Sequence, residues 1–227
     1  MRAWTAVGEG KAVRLPLQRV EMDDWETDLF ALLERSTAWK KLTLRQRKLV
    51  PRCRCTFTLA VDVATRVVVG FNATARAPSS ATSKAALRTA MVDKTPMAKW
   101  AGCRSDWAMF GRFECLATDG GPPFRDEFED AVRHCRSGRS LPDQDPRMRG
   151  TIESFFRLFR RLCRYFTGQS FSNVVEKGDY EAEEMASLVF EGLVRAAIVF
   201  IVDSYHHRKH RGLGGRTPYA VWNEARG

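Results

Sequence analysis

The chain has 227 residues, 44% of them hydrophobic and 28% charged, a length and balance that allow one domain with a proper core and a short extension and exclude a disordered or low-complexity protein. A formal net charge of +10 favours a polyanionic partner, nucleic acid first. The longest apolar run, Leu193 to Val202, is interrupted by Arg195 and falls well short of the roughly 20 residues that span a bilayer, so no membrane partner is expected. The first 20 residues lack the continuous apolar stretch of a secretory signal, which leaves an intracellular setting as the expectation. The cysteines, at 53, 55, 103, 115, 135 and 163, lack the paired spacing of a zinc site and read as buried thiols.

Residues 1–18 show no period and read as a lead-in. Arg19-Val20-Glu21-Met22-Asp23 alternates polar and apolar, as a half-buried strand does, and puts Asp23 on the face opposite Met22; Asp24 to Asp28 continues or ends it. Phe57, Leu59, Val61 and Val63 alternate in the same way, Ala64-Thr65-Arg66 makes a tight connection, and Val67-Val68-Val69 returns, which predicts a hairpin. Pro78-Ser79-Ser80 is a turn and cap ahead of an Ala-rich helix over 81–92. Phe113 to Ala117 forms a short strand that stops at Thr118-Asp119-Gly120-Gly121-Pro122-Pro123. A helix over 125–135, an extended piece at 140–142, and helices over 149–165 and 182–203 complete the pattern. Hairpin-joined strands followed by strand and helix in alternation imply a mixed sheet flanked by helices.

Three acidic residues stand out. Asp23 falls inside a strand pattern, where Asp is disfavoured; Asp119 ends a strand at its carboxyl side, where open α/β sheets place ligands; Glu153 opens a helix. Carboxylates converging from separate elements are hard oxygen ligands suited to Mg²⁺ or Mn²⁺. A pair of such ions about 4 Å apart can serve an in-line phosphoryl displacement. On the plainer structural reading, Asp119 initiates a turn before two glycines and Glu153 sits at the positive end of its helix. The Glu153 helix favours chemistry. With Glu153 at zero, Arg157, Arg160 and Arg164 fall at about 40°, −20° and 20°, one face, while Ile152, Phe155, Phe159, Leu162 and Phe166 cluster opposite. One carboxylate in line with three guanidiniums suits a phosphate backbone beside a metal.

These segments, in this order, resemble the Asp-Asp-Glu transposase and integrase family, which includes retroviral integrases and the transposase of bacteriophage Mu. Val20-Glu21-Met22-Asp23 is similar to the first-strand motif, Leu59 to Gly70 (LAVDVATRVVVG) to the hairpin of the bacterial, Mu-like branch, and Leu116-Ala117-Thr118-Asp119-Gly120-Gly121 to the second-Asp motif. Arg149 to Phe156 is similar to the helix bearing the last carboxylate, and Tyr205 to Trp222, with His210, Leu213-Gly214-Gly215 and Thr217-Pro218, to the post-core segment. The 33 residues between Asp119 and Glu153 match the family's mid-thirties spacing. The resemblance implies a ribonuclease-H-like mixed five-stranded sheet flanked by helices, over 19–166, with a C-terminal helical extension over 167–227 packed on it.

It further implies metal-dependent cleavage and joining of DNA 3′ ends, with Asp23, Asp119 and Glu153 holding two Mg²⁺ or Mn²⁺ ions and Arg157, Arg160 and Arg164 tracking phosphates. Asp23 is preferred to its neighbour Asp24 because adjacent strand residues face opposite ways, and Asp62 reads as a supporting residue. The expected partners are double-stranded DNA, as element ends and target, and further copies of the chain assembled on it; the expected location is cytoplasmic, with the bacterial nucleoid. Related bacterial transposases carry helix-turn-helix domains upstream and often a β-barrel downstream, for which this chain has no room, so it is expected to be a catalytic core. A ribonuclease-H-like nuclease without joining activity and an inactive DNA-binding remnant are the alternatives.

Overall fold

The computed structural model describes residues 13–32, 41–43, 45–46, 49–135, 138–140, 150–163 and 189–226. Its centre is a long strand, β1 (Arg19–Leu32), paired antiparallel with β2 (Arg52–Asp62) from Val20↔Asp62 to Leu32↔Arg52, with an irregularity between Glu26 and Phe30. β3 (Val68–Thr74) continues the hairpin antiparallel to β2. On the other edge of β1, β4 (Cys115–Ala117) pairs in parallel, and the short β5 (Gly138–Ser140) pairs in parallel with β4, giving the order β3-β2-β1-β4-β5. Six helices accompany the sheet among the described residues: α1 (Ser80–Ala90), α2 (Thr95–Ala101), α3 (Glu127–His134), α4 (Gly150–Cys163), α5 (Phe190–Val199) and α6 (Pro218–Glu224).

Alternation along β1 gives the sheet two faces that different helices cover. Glu21, Asp23 and Trp25 stand on one face opposite Val61, Leu59 and Phe57 of β2. There α4 packs: the Trp25 ring meets Phe156 and Phe159 at centroid distances of 5.9 and 5.5 Å, and Phe57 meets Phe159 at 5.1 Å. Burying an aromatic ring contributes about 2 kcal/mol, so this cluster decides which side α4 turns inward. The other face carries Met22, Ala60 and Gly70, and α1 lies on it. A β-carbon at Gly70 would sit 2.8 Å from both the Ala60 Cβ and the Ala86 carbonyl oxygen, so only glycine admits the helix this close. α1 starts at a capping box: Ser79 Oγ accepts from Thr82 N–H and Thr82 Oγ1 accepts from Ser79 N–H.

Buried polar groups tie the periphery to this frame. Asp62 Oδ1 accepts from Leu17 N–H (2.8 Å) and Oδ2 from the N–H and hydroxyl of Thr65 (2.8 and 2.6 Å), a supporting role that closes the hairpin. Lys94 Nζ donates to the carbonyls of Thr89, Val92 and Met109 above the Trp107 ring, joining the end of α1 to the loop before β4. Burial pushes the pKa of Lys94 down to about 7.

The helix expected over 182–203 has its described part in α5, which runs on as a π-helical turn, Phe200–Tyr205, with His206 N–H reaching back to Ile201 O. This turn aims two side chains inward. Tyr205 donates its hydroxyl to Arg66 O (2.9 Å), and His206 Nε2 accepts from Val68 N–H (3.0 Å), which places its proton on Nδ1. Leu193, Ile198, Val202 and Trp222 join the same buried core as the sheet residues, so the described C-terminal helices are part of the core's interior. Among the described residues no helix is long and apolar enough to cross a membrane.

Burial lowers the His206 pKa to about 3, against 6.5 for the free residue. Between these values an unfolded chain takes up a proton that the folded chain refuses, so stability falls as pH drops from 6.5, by about 1.4 kcal/mol per unit. Urea unfolding of wild type and His206→Gln should show the wild-type advantage at pH 7 shrinking steadily towards pH 4. A constant advantage would mean that His206 does not titrate this way.

Candidate active site

Asp119 lies two residues past Ala117, the last residue of β4. β4 pairs with β1 at Arg19↔Cys115, Val20↔Leu116 and Glu21↔Ala117, so Asp119 follows a strand that runs parallel to β1 toward Asp23, and its charge reaches Asp24. The Asp119 carboxylate folds back to accept from Gly121 N–H (2.8 Å), an Asx turn, and Gly120 takes a φ of 70° to allow it. A β-carbon at Gly121 would stand 3.1 Å from both carboxylate oxygens, so the second glycine leaves Asp119 its space. The Asp119 side chain is exposed.

Glu153 is exposed in the first turn of α4. The start of that helix is held from β1: Glu21 Oε2 accepts from the N–H groups of both Thr151 and Ile152 at 2.9 Å. Arg66 Nη1 adds a bond to the Thr151 hydroxyl. Glu21 is buried, and burial raises its pKa; the two amides and the charges of Arg19 and Arg66 pull it back. One face of β1 therefore touches α4 at two heights, Glu21 at residues 151 and 152 and Trp25 at residues 156 and 159. Asp23 stands between these contacts on the same face. Ile152, Phe155, Phe156 and Phe159 are buried, whereas Arg157 and Arg160 are exposed beside Glu153; Arg160 lies over the Trp25 ring at 5.7 Å. Arg164 and Phe166 lie outside the described residues.

Asp24 points to the opposite face, that of Met22. The Thr58 hydroxyl donates to its Oδ1, and its Oδ2 is buried with no hydrogen-bond partner among the described residues. Its pKa is raised to about 6, chiefly by burial and further by the negative charge of Asp119, with the Thr58 bond opposing. Among the described residues no three His, Cys, Asp or Glu side chains converge closely enough to hold a metal ion. Sequence reasoning missed Glu21 and Arg66. Their partners are backbone groups and one hydroxyl, and the only signal was a charged residue at an inward position of β1.

The model of the TnsB C-terminal domain family matches residues 40–168, more than half of the chain. The chain belongs to this family. The match spans Asp119 and Glu153 and begins after Asp23. No curated protein matches the chain. Among solved structures, the HTLV-2 integrase catalytic core domain, determined with magnesium in a trimeric form, aligns at a TM-score of 0.50 and 12% identity over 91% of this chain and 97% of that one. The simian T-cell lymphotropic virus intasome, solved with the PP2A regulatory subunit B56 gamma, aligns at 0.55 and 14% over 95% of this chain and 58% of that one. The chain therefore shares the fold of these integrase domains, a mixed α/β sheet flanked by helices.

The charge coupling can be read directly. Asp24 should titrate near pH 6 by carboxyl NMR, and Asp119→Asn, which removes a neighbouring negative charge, should lower that midpoint. An unchanged midpoint would separate the two carboxylates.

Proposed function

We propose that the chain is the catalytic core of a DNA transposase or integrase of the Asp-Asp-Glu type, in the Mu-like bacterial branch, that cleaves DNA to free 3′ ends and joins them to target DNA. The observation that supports this reading is the position of Asp23 between the two contacts of β1 with the Glu153 helix, with Asp119 just past the strand that pairs in parallel with the start of β1.

The donor set is all carboxylate, which suits Mg²⁺ or Mn²⁺, and the charge of Asp119 already raises the pKa of nearby Asp24, a repulsion that a cation would relieve. Asp23, Asp119 and Glu153 would be the ligands. Two divalent ions, when bound, supply Lewis acidity and charge neutralisation for in-line displacement at phosphorus. In the first reaction a water oxygen bonds to the phosphorus, the P–O3′ bond breaks and the 3′ oxygen leaves as a hydroxyl. In the second, that hydroxyl bonds to a target phosphorus and displaces the target's own 3′ oxygen. No covalent enzyme intermediate is needed, because positioning and electrostatics carry the reaction. Arg157, Arg160 and Arg164 hold DNA phosphates as bidentate donors. The partners are double-stranded element ends and target DNA, with several copies of the chain assembled on them inside a bacterial cell.

A second reading of the first ligand has its own support: Asp24 carries a buried oxygen with no hydrogen-bond partner among the described residues and feels the charge of Asp119. The alternation of β1 favours Asp23. The test uses labelled duplexes from the DNA flanking the coding sequence, with Mn²⁺ and a plasmid target, and separates cleaved from joined products. Glu153→Gln and Asp23→Asn should each lower joining about a thousandfold, equivalent to about 4 kcal/mol of barrier, with Asp24→Asn much milder. Full activity in Glu153→Gln would sink the assignment, and loss in Asp24→Asn alone would transfer the first role to Asp24.

Binding to plain duplex DNA should respond to the basic face. Arg157→Ala and Arg160→Ala should each flatten the plot of log affinity against log salt by about 0.9. Unaltered slopes would place the DNA path elsewhere.

A further inference from the structure

We infer that Glu21 is a positioning residue for Glu153, fixing the start of α4 so that the Glu153 carboxylate stands beside Asp23. This rests on the proposed function and extends it to a residue that would touch neither metal nor DNA. Both amide bonds from Thr151 and Ile152 end on one oxygen, Oε2 of Glu21, at 2.9 Å, and Glu153 is the next residue along the chain. These amides belong to the helix turn whose N–H groups lack intrahelical acceptors, and a carboxylate there gains from both the charge-assisted bonds and the helix dipole.

The geometry separates this contact from ordinary capping. A cap comes from the residue before the helix, whereas Glu21 reaches in from the central strand 130 residues away, two positions before Asp23 on the same face. Anchor and first carboxylate therefore share one rigid strand. Arg66 bonds the Thr151 hydroxyl from the hairpin side and so limits rotation of the same turn. Further along, Trp25 against Phe156 and Phe159 sets the tilt of α4. Without the Glu21 contact, the aromatic cluster still holds the second half of the helix, and the end bearing Glu153 becomes free to shift.

The test compares full-length wild type, Glu21→Ala, Glu21→Asp and Glu21→Gln. It measures the Mn²⁺ concentration for half-maximal cleavage of flanking-DNA duplexes, the affinity for plain duplex, and amide hydrogen exchange over residues 151–155. Glu21→Ala and Glu21→Asp should raise the Mn²⁺ midpoint about tenfold or more, as loss of support behind a metal ligand does, while duplex affinity stays within about twofold. Amide protection over 151–155 should fall in both. Glu21→Gln keeps an oxygen where both amides can reach it and should return the midpoint to within about threefold of wild type. If Glu21→Ala fails to fold, Glu21→Asp carries the test, because it keeps the charge but is one methylene too short. Wild-type Mn²⁺ midpoints in both Ala and Asp variants, or a Gln variant as impaired as Ala, would overturn the inference while leaving the proposed function standing. A wild-type protein with no metal-dependent cleavage would overturn both.

Discussion

Everything in this molecule is organised by the alternation of one strand. β1 accepts an antiparallel neighbour on one edge and a parallel one on the other, so it must be central, and its successive side chains serve two helical layers. Val20 and Met22 are fully buried on the α1 side, while Glu21 and Trp25 engage α4. A slip of one residue would exchange these sets, burying Asp23 among the residues beneath α1 and turning Trp25 away from its ring cluster. The aromatic contacts and the Glu21 bonds therefore specify register as well as stability, and the acidic residues inherit their placement from it.

The second organising feature is how much backbone is satisfied by distant side chains. Asp62, Lys94, Thr89, His206 and Tyr205 each bond main-chain groups that neighbouring strands or helices leave open. Asp203 does the same at the surface, accepting from the N–H groups of Arg104 and Ser105. Such bonds hold loops that contain little regular structure, notably the segment between α2 and β4, and leave the sheet ends rigid enough to carry a site.

Strong periodicity made much of this legible in the sequence. The Phe57 to Val69 hairpin, the strand that stops before Asp119 and the amphipathic helix around Glu153 follow from alternation, turn residues and an aromatic stripe. β1 outruns its alternating pattern, reaching Leu32, because pairing with Arg52 to Thr56 carries the strand through the charged stretch from Asp24 to Asp28. β3 begins at Val68 and runs to Thr74, further than its β-branched run, since Asn72 to Thr74 have partners on β2. α2 and α6 were missed because seven residues give too little period, although Thr95-Pro96 and Thr217-Pro218 are each a start signal with proline in the first turn. The positions of Asp119 just past β4 and of Glu153 in the first turn of α4 were legible from the strand stop and the helical pattern. Glu21 was not, because an acceptor for backbone amides can be recognised only once the helix that supplies them is in place.

The bond from Val68 N–H to His206 joins residues 138 apart, and Tyr205 reaches Arg66 over a similar span. The hairpin that forms the far side of the sheet is therefore completed by a segment synthesised long after it. Val68 N–H and Arg66 O find these partners only after residues 205 and 206 have been made. Closure over so long a loop is slow. The turn of the hairpin is thus finished by the C-terminal segment, across separations of 138 and 139 residues, and not by its own neighbours alone.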